Sequence, residues 1–292
     1  MQEGKNLNSY LRLHLIVFIW GFTAILGALI SLEALPLVWF RMLFASGFIL
    51  SYIFIKHISL KLPTKTIFAF LFAGLIIALH WFTFFKAIKV SNVSVTLACL
   101  ATGAFFTSIL EPIFYKRKII FYEVLFGLVV IAGLYLIFKV QGNYVYGIVL
   151  ALTSAFLSAL FSVINGKFAQ KYNPAIISFY EIFGGVLFLS IYLLFTQSFT
   201  TSFFNLSTSD LLWLLVLSSV CTAYAFIASV GVMKYLSPYT VMLTINLEPI
   251  YGIVLALLIF NDKEKMSPQF YVGALIILST VILNGILKNR NR

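Results

Sequence analysis

Long apolar runs alternate with short polar stretches along the whole chain. Cutting the chain at charges, prolines and polar clusters leaves ten apolar segments of about 20 residues, the length at which a helix crosses about 30 Å of hydrocarbon. Strands of a membrane barrel would instead alternate apolar and polar positions over about ten residues. The pattern therefore predicts an all-α membrane protein with ten transmembrane helices. The predicted spans are residues 11–30, 36–55, 66–87, 94–115, 119–138, 144–165, 175–197, 210–233, 238–260 and 268–287.

Composition supports a lipid environment. The chain is 62% hydrophobic and 10% charged, with a mean hydropathy of +1.04. Soluble domains average about 45–50% apolar and about 25% charged residues, and a soluble fold would lack the polar surface to cover so much apolar area. The net charge of +11 comes from short clusters of Lys and Arg between the apolar runs, whereas a nucleic-acid-binding protein gathers its cations on one face. We therefore expect the lipid bilayer as a partner and no nucleic acid.

The distribution of Lys and Arg predicts the orientation. If the N-terminus is cytoplasmic, the cytoplasmic loops and ends carry 14 of the 20 Lys and Arg residues and the outer loops carry five, while Arg41 lies inside a span. Positive charge accumulates on the cytoplasmic side of membrane proteins. We therefore expect an integral protein of the plasma membrane with both termini in the cytoplasm.

The chain also repeats itself. A shift of 146 residues places segment 91–95 on segment 237–241, and a shift of 138 places Pro36 on Pro174. The difference is absorbed in the loop after the second span of each half. Because five spans is an odd number, the second half must be inverted relative to the first, and inverted repeats are typical of transporters with a central site. The predicted repeats are residues 10–138 and 144–288, with five spans each.

Glu248 is the most informative polar residue. It lies ten residues into the ninth span, which is about 15 Å at helical rise and close to mid-membrane. Pro249 follows it and leaves the carbonyl of Ile245 without its helical partner, and Asn246 lies beside them. A polar, kinked patch at this depth indicates a substrate or ion site. The alternative is a structural carboxyl that joins two helices.

Two aromatic positions are further candidates for substrate binding. His80 and Trp81 are adjacent in the third span, where they could stack on or hydrogen-bond a planar substrate, or could simply be satisfied packing residues. Trp20 lies in the middle of the first span, where its N–H needs a partner or a cavity.

Three charged residues are candidates for gating or ion pairing. Arg41 lies about 8 Å below the outer surface, where it could attract an anionic group, hold a gate closed, or extend to the headgroups. Glu111 lies near the cytoplasmic end of the fourth span, where a local ion pair or extension of the side chain to the membrane interface is the favoured interpretation. Glu181 lies about two turns inside the seventh span, where it could gate or pair.

These residues and the paired halves resemble the EamA family of the drug/metabolite transporter superfamily. The resemblance covers residues 10–288 and is carried by Trp20-Gly21, by Pro36 and Arg41, by Ser-Pro-Tyr-Thr at 237–240 and by Asn-Leu-Glu-Pro-Ile-Tyr at 246–251. It implies an exporter or permease with a central cavity lined by spans 1, 3, 4, 6, 8 and 9. The substrate-binding candidates on those spans are Trp20, His80, Trp81, Thr102, Tyr224, Asn246 and Glu248.

Family members often carry Gly-Glu-Arg after the fourth span, where this chain has Lys-Arg-Lys at 116–118. This departure puts the gating role of that acidic residue in doubt, although Glu111 lies nearby. The resemblance implies substrates such as amino acids, related metabolites or drugs.

The leading interpretation is export of a small metabolite, such as an amino acid, by alternating access. The alternatives are an intramembrane lipid-modifying enzyme, for which HExxH, GxSxG and paired-aspartate motifs are missing, and a membrane scaffold. Cys99 and Cys221 lie in apolar runs without metal-ligand spacing. We therefore expect no enzyme activity, no catalytic residue, no metal and no cofactor, with a small-molecule substrate as partner and a homodimer left open. If protons are coupled to transport, Glu248 is the first candidate carrier.

Overall fold

The computed structural model describes residues 2–118, 121–140 and 142–290, and within these ranges it contains helices and no strand. The helices of the first half are α1 (Gln2–Leu29), α2 (Ala34–Ile55), α3 (Thr64–Val90), α4 (Val93–Leu100), α5 (Gly103–Tyr115) and α6 (Phe121–Val140). Those of the second half are α7 (Val145–Ala169), α8 (Pro174–Phe195), α9 (Thr208–Ser218), α10 (Ala225–Val232), α11 (Pro238–Ile245), α12 (Glu248–Phe260) and α13 (Pro268–Arg290). A π-helical turn, Ser219–Tyr224, joins α9 to α10, and short 3-10 turns lie at Gly142–Tyr144, Thr201–Phe204 and Asn261–Glu264.

Eight helical segments within the described ranges are long and apolar enough to cross a membrane. The all-helical, multispanning class predicted from the sequence is thus confirmed. Helices α6 and α13, at the predicted fifth and tenth spans, contain the shorter apolar stretches Leu128–Ile137 and Pro268–Thr280, so the number ten stays a prediction. Positions 119 and 120 of the predicted fifth span lie outside the described residues. The eight segments are Leu7–Leu29, Ala34–Ile55, Thr64–Val90, Val93–Tyr115, Val145–Ala169, Pro174–Phe195, Thr208–Val232 and Pro238–Glu264.

Two of these spans are broken in the middle at equivalent places. The span Val93–Tyr115 consists of α4 and α5, and the span Pro238–Glu264 contains α11 and α12. A shift of 146 residues moves the start of α5 to position 249, one residue from the start of α12. Pro249 explains the second break, because it cannot donate to a helical carbonyl. The first break has no proline within it; there the Thr102 hydroxyl donates to the Cys99 carbonyl at 2.7 Å, a local bond that competes with helical pairing.

Helices of the first half pack directly against helices of the second half, so the two halves do not form separate bodies. The main contacts join α3 to α7 and α8, α2 to α8, α1 to α12, and α6 to α13. Close approach of α3 and α8 depends on Gly74, where an added Cβ would lie 2.1 Å from the carbonyl oxygen of Glu181. This interlocking arrangement leaves a small space between the halves near the two helix breaks.

Candidate functional site

A cavity of about 60 Å³ lies between the two halves. A buried water needs about 10–15 Å³ of such space, so the cavity has room for only a few water molecules. Its lining includes residues of all six spans that the family resemblance names, and also Arg41 of the second span. The polar lining residues are Thr23, Arg41, His80, Ser158, Ser162, Ser229 and Glu248, and the aromatic ones are Trp20, Trp81, Phe84, Phe161 and Phe226.

Arg41 provides the positive charge of the cavity. Its side chain is only 2% exposed, and its guanidinium carbon lies 3.8 Å from the centre of the Trp81 ring. Nε donates to the Thr222 hydroxyl at 2.8 Å, whereas Nη1 has no hydrogen-bond partner among the described residues. Cation–π stacking fixes the plane of the guanidinium, and leaving a buried donor unpaired is unfavourable. Arg41 is therefore a buried guanidinium whose Nη1 is unpaired among the described residues, and its binding of an anionic group stays a prediction.

The π-helical turn holds Arg41 from the opposite half. Thr222, which accepts from Arg41, itself donates to the carbonyl of Leu217, five residues earlier, at 2.7 Å. In the same turn the Cys221 carbonyl accepts from Nε1 of Trp20 at 3.1 Å. Such turns are rare and often occur at functional sites. The irregular backbone thus links α1 and α2 to the second half through side chains that line the cavity.

Glu248 provides the carboxyl group of the cavity. It is the first residue of α12, is 6% exposed and faces the cavity. Among the described residues, no Lys, Arg or His nitrogen lies within 4.0 Å of its carboxylate. A buried carboxyl without a paired cation is costly. The cavity thus contains a guanidinium from Arg41 and a carboxyl from Glu248.

His80 also lines the cavity, but its Nδ1 is occupied. It lies 2.9 Å from the carbonyl oxygen of Ser154 and 2.8 Å from the hydroxyl of Ser154, and that hydroxyl also reaches the His80 carbonyl at 3.0 Å. A carbonyl only accepts, so the geometry assigns the proton of the ring to Nδ1. This pair ties α3 to α7, so His80 has a packing role whether or not it also contacts a solute.

The remaining substrate-binding predictions fall in different places. Trp20 and Trp81 line the cavity, whereas Thr102 and Asn246 are buried at the two helix breaks outside its lining. Tyr224 is 48% exposed and lines two grooves on the surface of the protein, away from the cavity. Four of the seven predicted residues are thus brought together, and the substrate-binding role of all seven stays a prediction.

The acidic residues predicted to gate or pair lie away from the cavity. Glu111 is buried, with Oε1 3.0 Å from Nη1 of Arg117 and Oε2 accepting from the backbone N–H of Tyr239 at 3.0 Å. Glu181 accepts from Nδ2 of Asn165 at 3.1 Å and has no cationic partner among the described residues. Their roles also stay predictions.

Sequence reasoning missed the hydroxyl-bearing face of α7. Ser154, Ser158 and Ser162 recur every four residues and therefore lie on one face of the helix, and the last two line the cavity. Their spacing was the signal that could have identified them.

No group of three or more His, Cys, Asp or Glu suited to a metal ion occurs in the part of the chain that the structure describes.

Comparison with known proteins places both halves in one family. The model of the EamA-like transporter family matches residues 8–139 and 145–286. An uncharacterized transporter of Archaeoglobus fulgidus is 26% identical over 95% of this chain and 97% of its own length. One of Clostridium kluyveri is 25% identical over 68% of this chain and 65% of its own length. A solved crystal structure covering 96% of this chain and 98% of its own shares the fold, with a TM-score of 0.70 at 14% identity.

Proposed function

We propose that this chain, which belongs to the EamA-like transporter family and is a membrane transporter, moves a small zwitterionic metabolite such as an amino acid. The observation that carries the proposal is the presence of Arg41 and Glu248 in one buried cavity. Guanidinium groups suit carboxylates because their N–H groups match the two oxygens, and a carboxylate suits an ammonium group. The aromatic walls would bury the apolar part of such a solute.

Alternating access is the mechanism that best fits this cavity. Its polar groups are buried, and its volume of about 60 Å³ is too small for a solute larger than a few water molecules. A metabolite can therefore enter only when the halves separate on one side. Inverted repeats provide two geometrically similar ways to separate, one toward each face.

The proposed direction is export from the cytoplasm across the plasma membrane. The excess of Lys and Arg on one side supports cytoplasmic termini, and export follows from the resemblance noted for the sequence. The family points to a transporter rather than an enzyme.

The decisive experiment is solute flux through purified protein in liposomes. Metabolite pools of cells lacking and overproducing the protein would first select the solute, and isotope-labelled flux would then be measured for it. We expect flux that saturates with concentration and that falls in Arg41→Gln and Glu248→Gln. Glu33→Gln is the matched control, because Glu33 is an exposed carboxylate paired with Lys86 at the surface. Absence of flux for every selected solute, or equal loss in the control, would overturn the proposal.

A further inference from the structure

A carboxylate of the second half binds the first turn of a helix in the first half. Glu264, in the 3-10 turn after α12, is buried. Its Oε1 accepts from the N–H of Val93 and its Oε2 from the N–H of Ser94, both at 2.9 Å. The first N–H groups of a helix have no partner within the helix and attract negative charge. Glu264 therefore joins the end of one broken span to the start of the other.

At the other end of the same two spans, a carboxylate of the first half binds the first turn of a helix in the second half. Glu111, near the end of α5, accepts from the N–H of Tyr239 in the first turn of α11 at 3.0 Å. Its second oxygen is held by Arg117 at 3.0 Å. Val93 and Glu111 are 18 residues apart in one span, which is about 27 Å at helical rise. The two carboxylates therefore lie near opposite faces of the membrane.

The two contacts occupy equivalent places in the repeat, although the carboxylates do not. A shift of 146 residues moves Val93 onto Tyr239, so one of the two N–H groups that Glu264 binds corresponds to the N–H group that Glu111 binds. The same shift moves Glu111 onto Leu257, and Glu264 corresponds to Lys118. The same contact is thus built from different sequence positions in each half, which indicates that the contact itself matters.

We propose that Glu264 and Glu111 are the two gate residues of the transport cycle, an inference that rests on the proposed function. To open the cavity toward one face, the start of α4 must leave Glu264; to open it toward the other, the start of α11 must leave Glu111. The breaks between α4 and α5 and between α11 and α12 allow each half-span to tilt while the contact at its far end stays closed.

Labelling of Cys221 tests the gates. Cys221 lines the cavity and Cys99 is buried elsewhere, so Cys99→Ser leaves one thiol in the chain. A membrane-impermeant thiosulfonate reagent would be applied to right-side-out and to inside-out membrane vesicles. We expect Glu264→Gln to raise the labelling rate about tenfold from its own face only, as for loss of one charge-assisted hydrogen bond. Glu111→Gln should do the same from the opposite face only.

Asp262→Asn is the matched control. Asp262 lies in the same turn as Glu264, but its side chain is 90% exposed and pairs with Lys265, so the same charge is removed without touching α4. A second reporter, Ser158→Cys in a chain without the native cysteines, covers the case in which Cys221 itself reacts slowly. Equal acceleration from both faces, no acceleration with either reporter, or the same effect in Asp262→Asn would overturn the inference.

The labelling result and the flux result can be separated. If labelling changes as expected but no solute crosses liposomes, the gates are real and the proposed function fails. If wild-type protein transports a solute and labelling is unchanged in both glutamine variants, the proposed function survives and the gate inference fails.

Discussion

Replacing Arg41 by Lys tests the anion-binding half of the site while keeping a positive charge. Lysine is a compact ammonium that cannot reproduce the planar guanidinium, which lies over Trp81 and donates from Nε to Thr222. The hydrogen bond of a charged group contributes about 1.5–3 kcal/mol, and the cation–π contact contributes about 0.5–2 kcal/mol.

The expected loss of solute affinity follows from these values. If the ammonium keeps the charge but loses one hydrogen bond to the solute carboxylate, binding weakens by about 1.4–2.8 kcal/mol, or about 10- to 100-fold. The KM for flux should rise by a similar factor, because the interaction is made with the bound solute. Arg41→Gln, which removes the charge as well, should be at least as severe.

The chain offers its own fluorescence probe for this measurement. Of the four tryptophans, Trp20 and Trp81 line the cavity, while Trp39 and Trp213 do not. Solute titrations in a Trp39→Phe, Trp213→Phe background would therefore report the cavity, and liposome flux would give the KM. Arg41→Lys with unchanged affinity and unchanged KM would refute the assignment. Lys86→Gln, at the surface ion pair with Glu33, should leave both values unchanged.

Three further predictions concern single contacts. Glu248→Gln should lower solute flux at least about tenfold and remove any response of flux to an imposed pH gradient; unaltered flux and pH response would exclude Glu248 as binding residue and proton carrier. Gly74→Ala should destabilise the protein by about 1–3 kcal/mol, because the added Cβ would lie 2.1 Å from the carbonyl oxygen of Glu181; the measurement is a lower Tm in detergent. The control Gly47→Ala, whose added Cβ would meet nothing within 4 Å, should leave the Tm close to wild type. Asp210→Ala should lower the free energy of unfolding by about 1–3 kcal/mol, because the Asp210 carboxylate accepts from the N–H and hydroxyl of Ser31 at 2.7 and 2.6 Å. Thermal unfolding would check this, and an unchanged Tm would contradict it.

The helices could be predicted from the sequence because lipid demands long apolar runs with satisfied backbone groups. Pro249 also marked the break before α12. The equivalent break at Thr102 has no proline and was not predicted, although the 146-residue shift of Pro249 would have pointed to it. For these features, local chemistry and periodicity carried enough information.

The face of each helix that lines the cavity was harder to predict than the position of the helix in the sequence. Tyr224 lies on a cavity-forming span, but the π-helical turn Ser219–Tyr224 adds a residue to the helical turn and shifts the register of α10 relative to α9. Thr222 consequently meets Arg41 while Tyr224 points away from the cavity. Such an insertion leaves no clear trace in hydropathy. A residue's place on a cavity-forming span therefore did not show whether its side chain lines the cavity.

The repeat in this protein is a repeat of backbone and not of chemistry. The 146-residue shift aligns the helix breaks and the two helix starts that receive carboxylates, yet it pairs Glu248 with Thr102 and Glu264 with Lys118. In the proposed cycle, the shared backbone makes the two open conformations similar in shape. Their free energies can differ only through the side chains that break the symmetry, because identical halves would favour neither face. The unmatched carboxylates are therefore among the side chains through which a preference of the transporter for one face over the other can arise.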